Sequence, residues 1–412
     1  MKCIINANGV VSDSLEGPLA AYISPFSKWM SSQGYSFKSV GYQTRIGASF
    51  SRWLGQHDVR LRDVSIEHAK PFLRHHARTR CHTGSEGAAL AHLIGFLQRR
   101  HVIPLPKRSP ERLSAPDRCL RGYEHYLRQD RAVAEATIIH YLPFIREFLK
   151  DRFGNGRVKL SALRARDVVR FVQLRAPRLH LKRAKLMTTV LRSFFQYTRL
   201  RGYVRFDLGA AVPIVANWSM PSIPRAIAAE QVRQLLASID RQTPIGRRDY
   251  AILLVLARLG LRANEVVSLE LEDIDWCAGK LSVRGRRGQR HEMPLPAAVG
   301  KAIAAYLRRG RARTTSRRVF LRTRAPICGF EGTGGVCSLV RHRLQRARIS
   351  APTHGAHQFR HGVATEMLRH GASLAEIGAL LGHRHPDTTR IYSKVDLRAL
   401  HTLAQPWPGG GR

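Results

Sequence analysis

Acidic residues are scarce in this chain: 29 Asp and Glu stand against 69 Lys and Arg in 412 residues, a formal net charge of +40. That imbalance adds nothing to core stability, because like charges oppose compaction. The common reason to carry it is a polyanionic partner, where each neutralised phosphate releases condensed counterions. Cysteine is sparse too. Cys3, Cys81, Cys119, Cys277, Cys328 and Cys337 form no CxxC pair and have no histidine at zinc spacing. This excludes a zinc ribbon or a disulfide framework and implies free thiols in a reducing compartment. No apolar run reaches membrane-spanning length, and the N-terminal MKCIINANGVV has no signal-peptide core, so a cytoplasmic protein is expected, with no membrane partner. The glycine-rich EGTGGV lacks the GK[ST] of a P-loop and reads only as a connecting loop.

What is present is a periodic, globular pattern that is 44% hydrophobic, unlike the low-complexity tails of small basic proteins. Arginine outnumbers lysine, which suits bidentate phosphate contacts. Nucleic acid is therefore the expected partner before any motif is read. Proline-rich breaks divide the chain into blocks of about 1–106, 112–213 and 225–400, with a flexible, glycine-rich tail over 401–412. The first break is VIPLPKRSP; the second carries Pro213, Pro221 and Pro224.

The first two blocks read as a repeat with an offset of 99, 42 aligning with 141. Tyr42, Ile46, Phe50, Leu61, Val64 and Phe72 align with Tyr141, Ile145, Leu149, Leu160, Leu163 and Phe171. With two residues inserted, Leu90, Leu93, Ile94 and Phe96 then align with Leu191, Phe194, Phe195 and Tyr197. Apolar positions at i, i+4 and i+8 mark one helix face, so each block is expected to be a small helical bundle. The aromatics of LMTTVLRSFFQYTRLRGYV are core residues on this reading. Lys182, Arg183, Lys185, Arg192 and Arg199 form the basic outer face that would meet nucleic acid.

In the third block, AEQVRQLLASID and RDYAILLVLARLG read as helices, and Gly260 breaks the second. KLSVRGRRGQRHEMPLP reads as a β-hairpin around a glycine- and arginine-rich turn. Ser373 and Glu376 make a capping box for SLAEIGALL, and Gly382 stands at its C-terminal end. The expected fold class is thus mostly α with a small β-hairpin or sheet (α+β) in the C-terminal domain.

Three segments of this block carry chemistry: GLRANEV, HQFRHGVAT and LLGHRHPDTTRIY. They bring two guanidiniums (Arg262, Arg360), two imidazoles (His357, His383) and the Tyr392 phenol. His357 and Arg360, three apart, share one helix face. His383 follows a helix stop, and Tyr392 lies nine residues beyond it. Such a set can hold one phosphodiester and attack it. Guanidinium forks match phosphate oxygens in pairs, an imidazole handles protons near neutrality, and a phenol with an unperturbed pKa of about 10 must lose its proton to attack. Glu265 is expected to orient Arg262 or its helix. His361 is assigned no role.

In its GLRxxE, HxxRH, LLGH and TTxxY motifs the chain resembles the tyrosine recombinase (phage integrase) family, over about 112–400. The resemblance implies a C-terminal catalytic domain preceded by a helical, SAM-like core-binding domain, here 112–213, with block 1–106 as its possible duplicate. It implies a site-specific recombinase that works on double-stranded DNA as a homo-tetramer bridging two sites, through a 3′-phosphotyrosine on Tyr392, with no cofactor and no metal. Arg262, Arg360 and His383 would bind the phosphate, and His357 would handle the proton. Within that family, the extra N-terminal block and the very basic charge favour a mobile-element role in integration, excision or transposition over resolution of chromosome dimers. One position departs from it: where the family places a catalytic lysine in the hairpin turn, this chain has Arg286. A guanidinium, with a pKa of about 12.5 or higher, is a poor acid. Three readings stand: Arg286 stabilises the leaving oxygen electrostatically, Lys280 reaches in from the strand, or the chain is a catalytically weak DNA-binding accessory or regulatory protein. After Tyr392, SKVDLRALHTLAQ reads as an amphipathic helix that packs on its own domain or docks on a neighbouring protomer.

Overall fold

The computed structural model describes residues 15–79, 84–104, 114–215, 224–285, 290–383 and 385–395. Two compact units emerge, one of 107–220 and one combining 1–106 with 221–412.

Within the second of these units, the described residues of 15–104 form four α-helices: α1 (Ala20–Ser32), α2 (Phe37–Gln56), α3 (Ala69–Thr79) and α4 (Glu86–Arg99). Their core gathers Phe26, Phe50, Phe72, Leu93 and Phe96. The smaller unit repeats that order with α5 (Ala115–His125), α6 (Glu135–Phe153), α7 (Ala165–Arg175) and α8 (Leu181–Leu200). A 3-10 turn precedes the third helix of each bundle, at Leu61–Asp63 and at Leu160–Ala162. Residues aligned by sequence are buried in pairs: Ile46 and Ile145, Phe50 and Leu149, Val64 and Leu163, Phe72 and Phe171, Leu93 and Phe194, Ile94 and Phe195. The α8 aromatics Phe194, Phe195 and Tyr197 lie inside the bundle, each nearly dry and hence strongly stabilising.

The 224–395 region is helical around a three-stranded antiparallel sheet, β1 (Ile274–Asp275), β2 (Lys280–Arg284) and β3 (Arg290–Pro294). Its helices are α9 (Ala229–Ala237), α10 (Pro244–Leu259), α11 (Ala263–Ser268), α12 (Ala297–Arg309), α13 (Thr333–Arg346), α14 (His357–Arg369), α15 (Leu374–Leu380) and α16 (Pro386–Thr389), the last running into a 3-10 turn at Arg390–Val395. Buried α10, in which Ala251, Ile252, Leu253, Leu254, Val255 and Leu256 are all nearly inaccessible, is the central post. A helix apolar all round belongs in a core. The mostly α, α+β class is therefore the observed one. One local expectation fails: EGTGGV is not wholly loop, because α13 starts at Thr333 and takes Gly334 and Gly335 into its first turn. Burial of Val336, Leu339 and Val340 on one face outweighs the poor helix propensity of the glycines.

Candidate active site

The site is built from chain terminations. Helix α10 stops at Gly260, in the left-handed region at φ 61°. A Cβ there would sit 2.9 Å from Leu381 Cδ2, so glycine is required on both counts. Two residues later Arg262 caps α11. Its backbone N–H donates to Glu265 Oε2 and its Nη1 to Glu265 Oε1, both at 2.7 Å. Glu265 is only 4% exposed, so one buried carboxylate closes the helix start and aims the guanidinium. That orienting role is the one expected of it.

Helix α14 opens at His357 and carries Arg360 one turn in. Arg360 is 2% exposed. Its Nη1 donates to Gly260 O at 2.9 Å and its Nη2 to Leu381 O. The fork thus ties the end of α10 to the end of α15. Burial, and then the charge of Arg262, pulls the Arg360 pKa down to about 10. Two guanidiniums that feel each other with one carboxylate between them form a site short of negative charge, which a phosphate would supply.

Helix α15 begins with the capping box of Ser373 and Glu376 and ends at Gly382 with φ 59°. His383 follows, held by its backbone N–H on Gly378 O (2.8 Å) and by Nδ1 against Thr389 Oγ1 (2.7 Å). Burial, and then the charges of Arg360 and Arg262, lowers its pKa to about 4, so it is neutral at pH 7. Tyr392, in the Arg390–Val395 turn, is 1% exposed and packs with Ala364, Ile377 and Leu381. Burial raises its phenol pKa, and the charges of Arg360 and Arg262 work against that rise.

The Tyr392 hydroxyl lies 3.1 Å from Nδ1 of His361, not from His357. The His357 ring stands edge-on behind that of His361, with 4.5 Å between centroids. Burial, and then the neighbouring charges of His357 and Arg360, takes the His361 pKa to about 4. A neutral imidazole whose Nδ1 faces a phenol is a hydrogen-bond acceptor in its Nε2–H tautomer. His361 is thus the residue that sequence reasoning passed over. Its only local signal is its place four after His357, which puts both on one face of α14.

Arg262, His357, Arg360, His383 and Tyr392 therefore come together, with His361 among them. Arg286 lies outside the described residues. Lys280 is exposed and paired across the strands with Glu292 at 3.2 Å, so it does not reach in. On α8, Lys182 and Arg183 are exposed and Lys185 half-buried. Arg199 is paired with Asp207 at 3.2 Å. Arg192 donates through Nη2 to Val212 O and Pro213 O, at 2.9 and 3.3 Å, which pins the segment after α8.

Known proteins share this fold. The model of the phage integrase family matches residues 225–398. The putative integrase/recombinase y4rA of Sinorhizobium fredii is 54% identical over 409 residues, 99% of each chain. The tyrosine recombinase XerD of Mycobacterium tuberculosis is 29% identical over 70% of this chain and 96% of its own. Among solved structures, the XerH site-specific recombinase bound to palindromic difH substrate superposes with a TM-score of 0.56 at 19% identity, over 70% of this chain and 84% of its own. A lambda integrase dimer bound to a COC′ core site gives 0.53 at 15% identity, over 68% and 94%. With near-complete coverage of y4rA at that identity, the chain belongs to the phage integrase family, the tyrosine recombinases.

Proposed function

We propose that this protein cuts and rejoins double-stranded DNA at specific sites, with Tyr392 as the nucleophile. The observation that carries this reading is the convergence of Arg262, Arg360 and three imidazoles around one phenol. The guanidiniums and His383 would hold the nonbridging oxygens as charge builds in the transition state. His361 takes the phenol proton, with His357 packed against it. Tyr392 Oη then bonds to phosphorus and the 5′-oxygen departs, leaving a 3′-phosphotyrosine that stores the bond for rejoining without ATP or metal.

Phosphate contacts from Lys182, Arg183, Lys185 and Arg199 would supply affinity and register. The shared helix order and paired burial support a duplicated core-binding bundle in residues 15–104, which would lengthen the grip on DNA. Exchange between two sites needs four protomers. The dimeric and tetrameric assemblies named for lambda integrase support that count. The relatives named integrases, with a Tn1549 transposon integrase of the same fold, support a mobile-element role.

The test is covalent capture. Wild-type and Tyr392→Phe proteins are expressed beside their native DNA and denatured, and the attached DNA is sequenced. Discrete ends joined only to the wild type are expected. Reversible binding without any Tyr392-dependent adduct would make the chain a DNA-binding accessory or regulatory protein instead.

A further inference from the structure

We propose that His291 delivers the proton to the leaving 5′-oxygen, an inference that rests on the strand-cleavage reading above. Register places it first. In the antiparallel pair β2–β3, His291 stands opposite Val283 and Met293 opposite Leu281, and residues directly opposite share a face of the sheet. Leu281, Val283 and Met293 are buried, whereas Arg290 and Glu292, on the other face, are exposed. His291 is therefore the one imidazole at the end of an otherwise apolar inward face. It is half-buried.

Where that ring lies is decided by Gly382. His291 Cε1, Nδ1 and Nε2 stand 3.3, 3.5 and 3.5 Å from the position a Cβ on Gly382 would occupy. Both ring nitrogens therefore sit against backbone that is bare because the residue is glycine. Gly382 lies between Leu381, whose carbonyl accepts from Arg360, and His383. The imidazole is thus seated on the segment that runs from the carbonyl holding Arg360 to His383.

Chemistry leaves a vacancy of that kind. When Tyr392 Oη bonds to phosphorus and the P–O5′ bond breaks, the bonding pair stays on the 5′-oxygen, which then takes a proton. Guanidiniums are poor acids. His361 and His383, with pKa values near 4, carry no surplus proton at pH 7. An imidazolium can give one up and, as the neutral ring, take it back from the attacking 5′-hydroxyl during rejoining.

The test uses duplex oligonucleotides of the cleavage site mapped through Tyr392, made with an ordinary scissile phosphate and with a 5′-bridging phosphorothiolate. A thiolate leaves without needing a proton. His291→Ala is expected to cleave the ordinary duplex about 100-fold more slowly than wild type, the lower end for a lost general acid, and the phosphorothiolate within a few-fold of wild type. Should the alanine variant not fold, His291→Asn, polar and of similar shape but no acid, is read in the same way. Equal loss on both substrates, or no loss on the ordinary one, would overturn the proposal. So would rescue of Arg286→Ala with no rescue of His291→Ala, which places the donor in the hairpin turn. A wild-type protein that forms no adduct on either duplex would instead sink the strand-cleavage reading itself.

Discussion

Nδ1 of His361 and the hydroxyl of Tyr392 lie 3.1 Å apart, between α14 and the turn at Arg390–Val395. With its pKa pulled to about 4 by burial and by the charges of His357 and Arg360, His361 is neutral at pH 7, and in its Nε2–H tautomer Nδ1 can accept from the phenol. Substituting His361→Ala should therefore slow phosphotyrosine formation by about 10²–10⁴-fold, the usual range for a positioned base, while site binding in a gel-shift assay stays near wild type. Single-turnover cleavage of the mapped duplex measures it. A full rate for His361→Ala beside a crippled His357→Ala would return the proton-handling role to His357.

The same shifts carry a stability signature. His361 and His383 both titrate lower in the folded chain than the ordinary value of about 6.5. Below that ordinary value the unfolded chain binds protons that the folded one refuses. Stability should then fall as pH drops from about 6.5 towards 4, with proton uptake on unfolding throughout that window. Thermal melts at stepped pH should show it, with a shallower slope for His361→Phe. An unchanged slope would mean that His361 titrates normally in the folded state.

Arg360 is expected to matter for stability as well as for phosphate binding. Its Nη1 and Nη2 satisfy the carbonyls of Gly260 and Leu381, and the side chain is almost wholly buried. Arg360→Ala leaves both carbonyls without that partner, at about 1–3 kcal/mol for each buried group, so urea unfolding should register a loss of about 2–6 kcal/mol. Arg262 is a quarter exposed, with its partner on the same turn, so Arg262→Ala should cost under half as much. Equal costs would show that the Arg360 fork does not hold the two helix ends together.

Much of this was legible in sequence, and the divide is physical. Ser373 with Glu376, Gly260 and Gly382 act within one turn of chain, so local rules place them. The same is true of Glu265 on Arg262, three residues apart. The register of α14 against the Tyr392 turn is tertiary, which is why His361 had no assigned role and His357 was expected at the phenol. His291 was hidden for the same reason, since its neighbour Gly382 is 91 residues away (382 less 291). The fate of α8's arginines was likewise hidden. A helical pattern shows that Arg192 and Arg199 face outward, not that one finds carbonyls of the next segment and the other finds Asp207.

That last distinction separates two residues of equal charge. Arg183 is exposed, its guanidinium 5.5 Å from the Phe144 ring centroid, and points a charge at solvent that a phosphate can neutralise. Arg192 is half-buried and bonded to Val212 O and Pro213 O. Arg183→Ala should weaken DNA binding and lower the slope of log K against log salt by about 1, the signature of one lost phosphate contact, with melting unchanged. Arg192→Ala should leave that slope within error and instead destabilise the bundle by about 1–2 kcal/mol, through carbonyls that lose their donor. Binding titrations at four salt concentrations, run beside thermal melts of both variants, make the comparison. If Arg192→Ala also lowers the slope by a full unit, its guanidinium leaves those carbonyls when DNA binds, and α8 contributes one more phosphate contact than its free geometry provides.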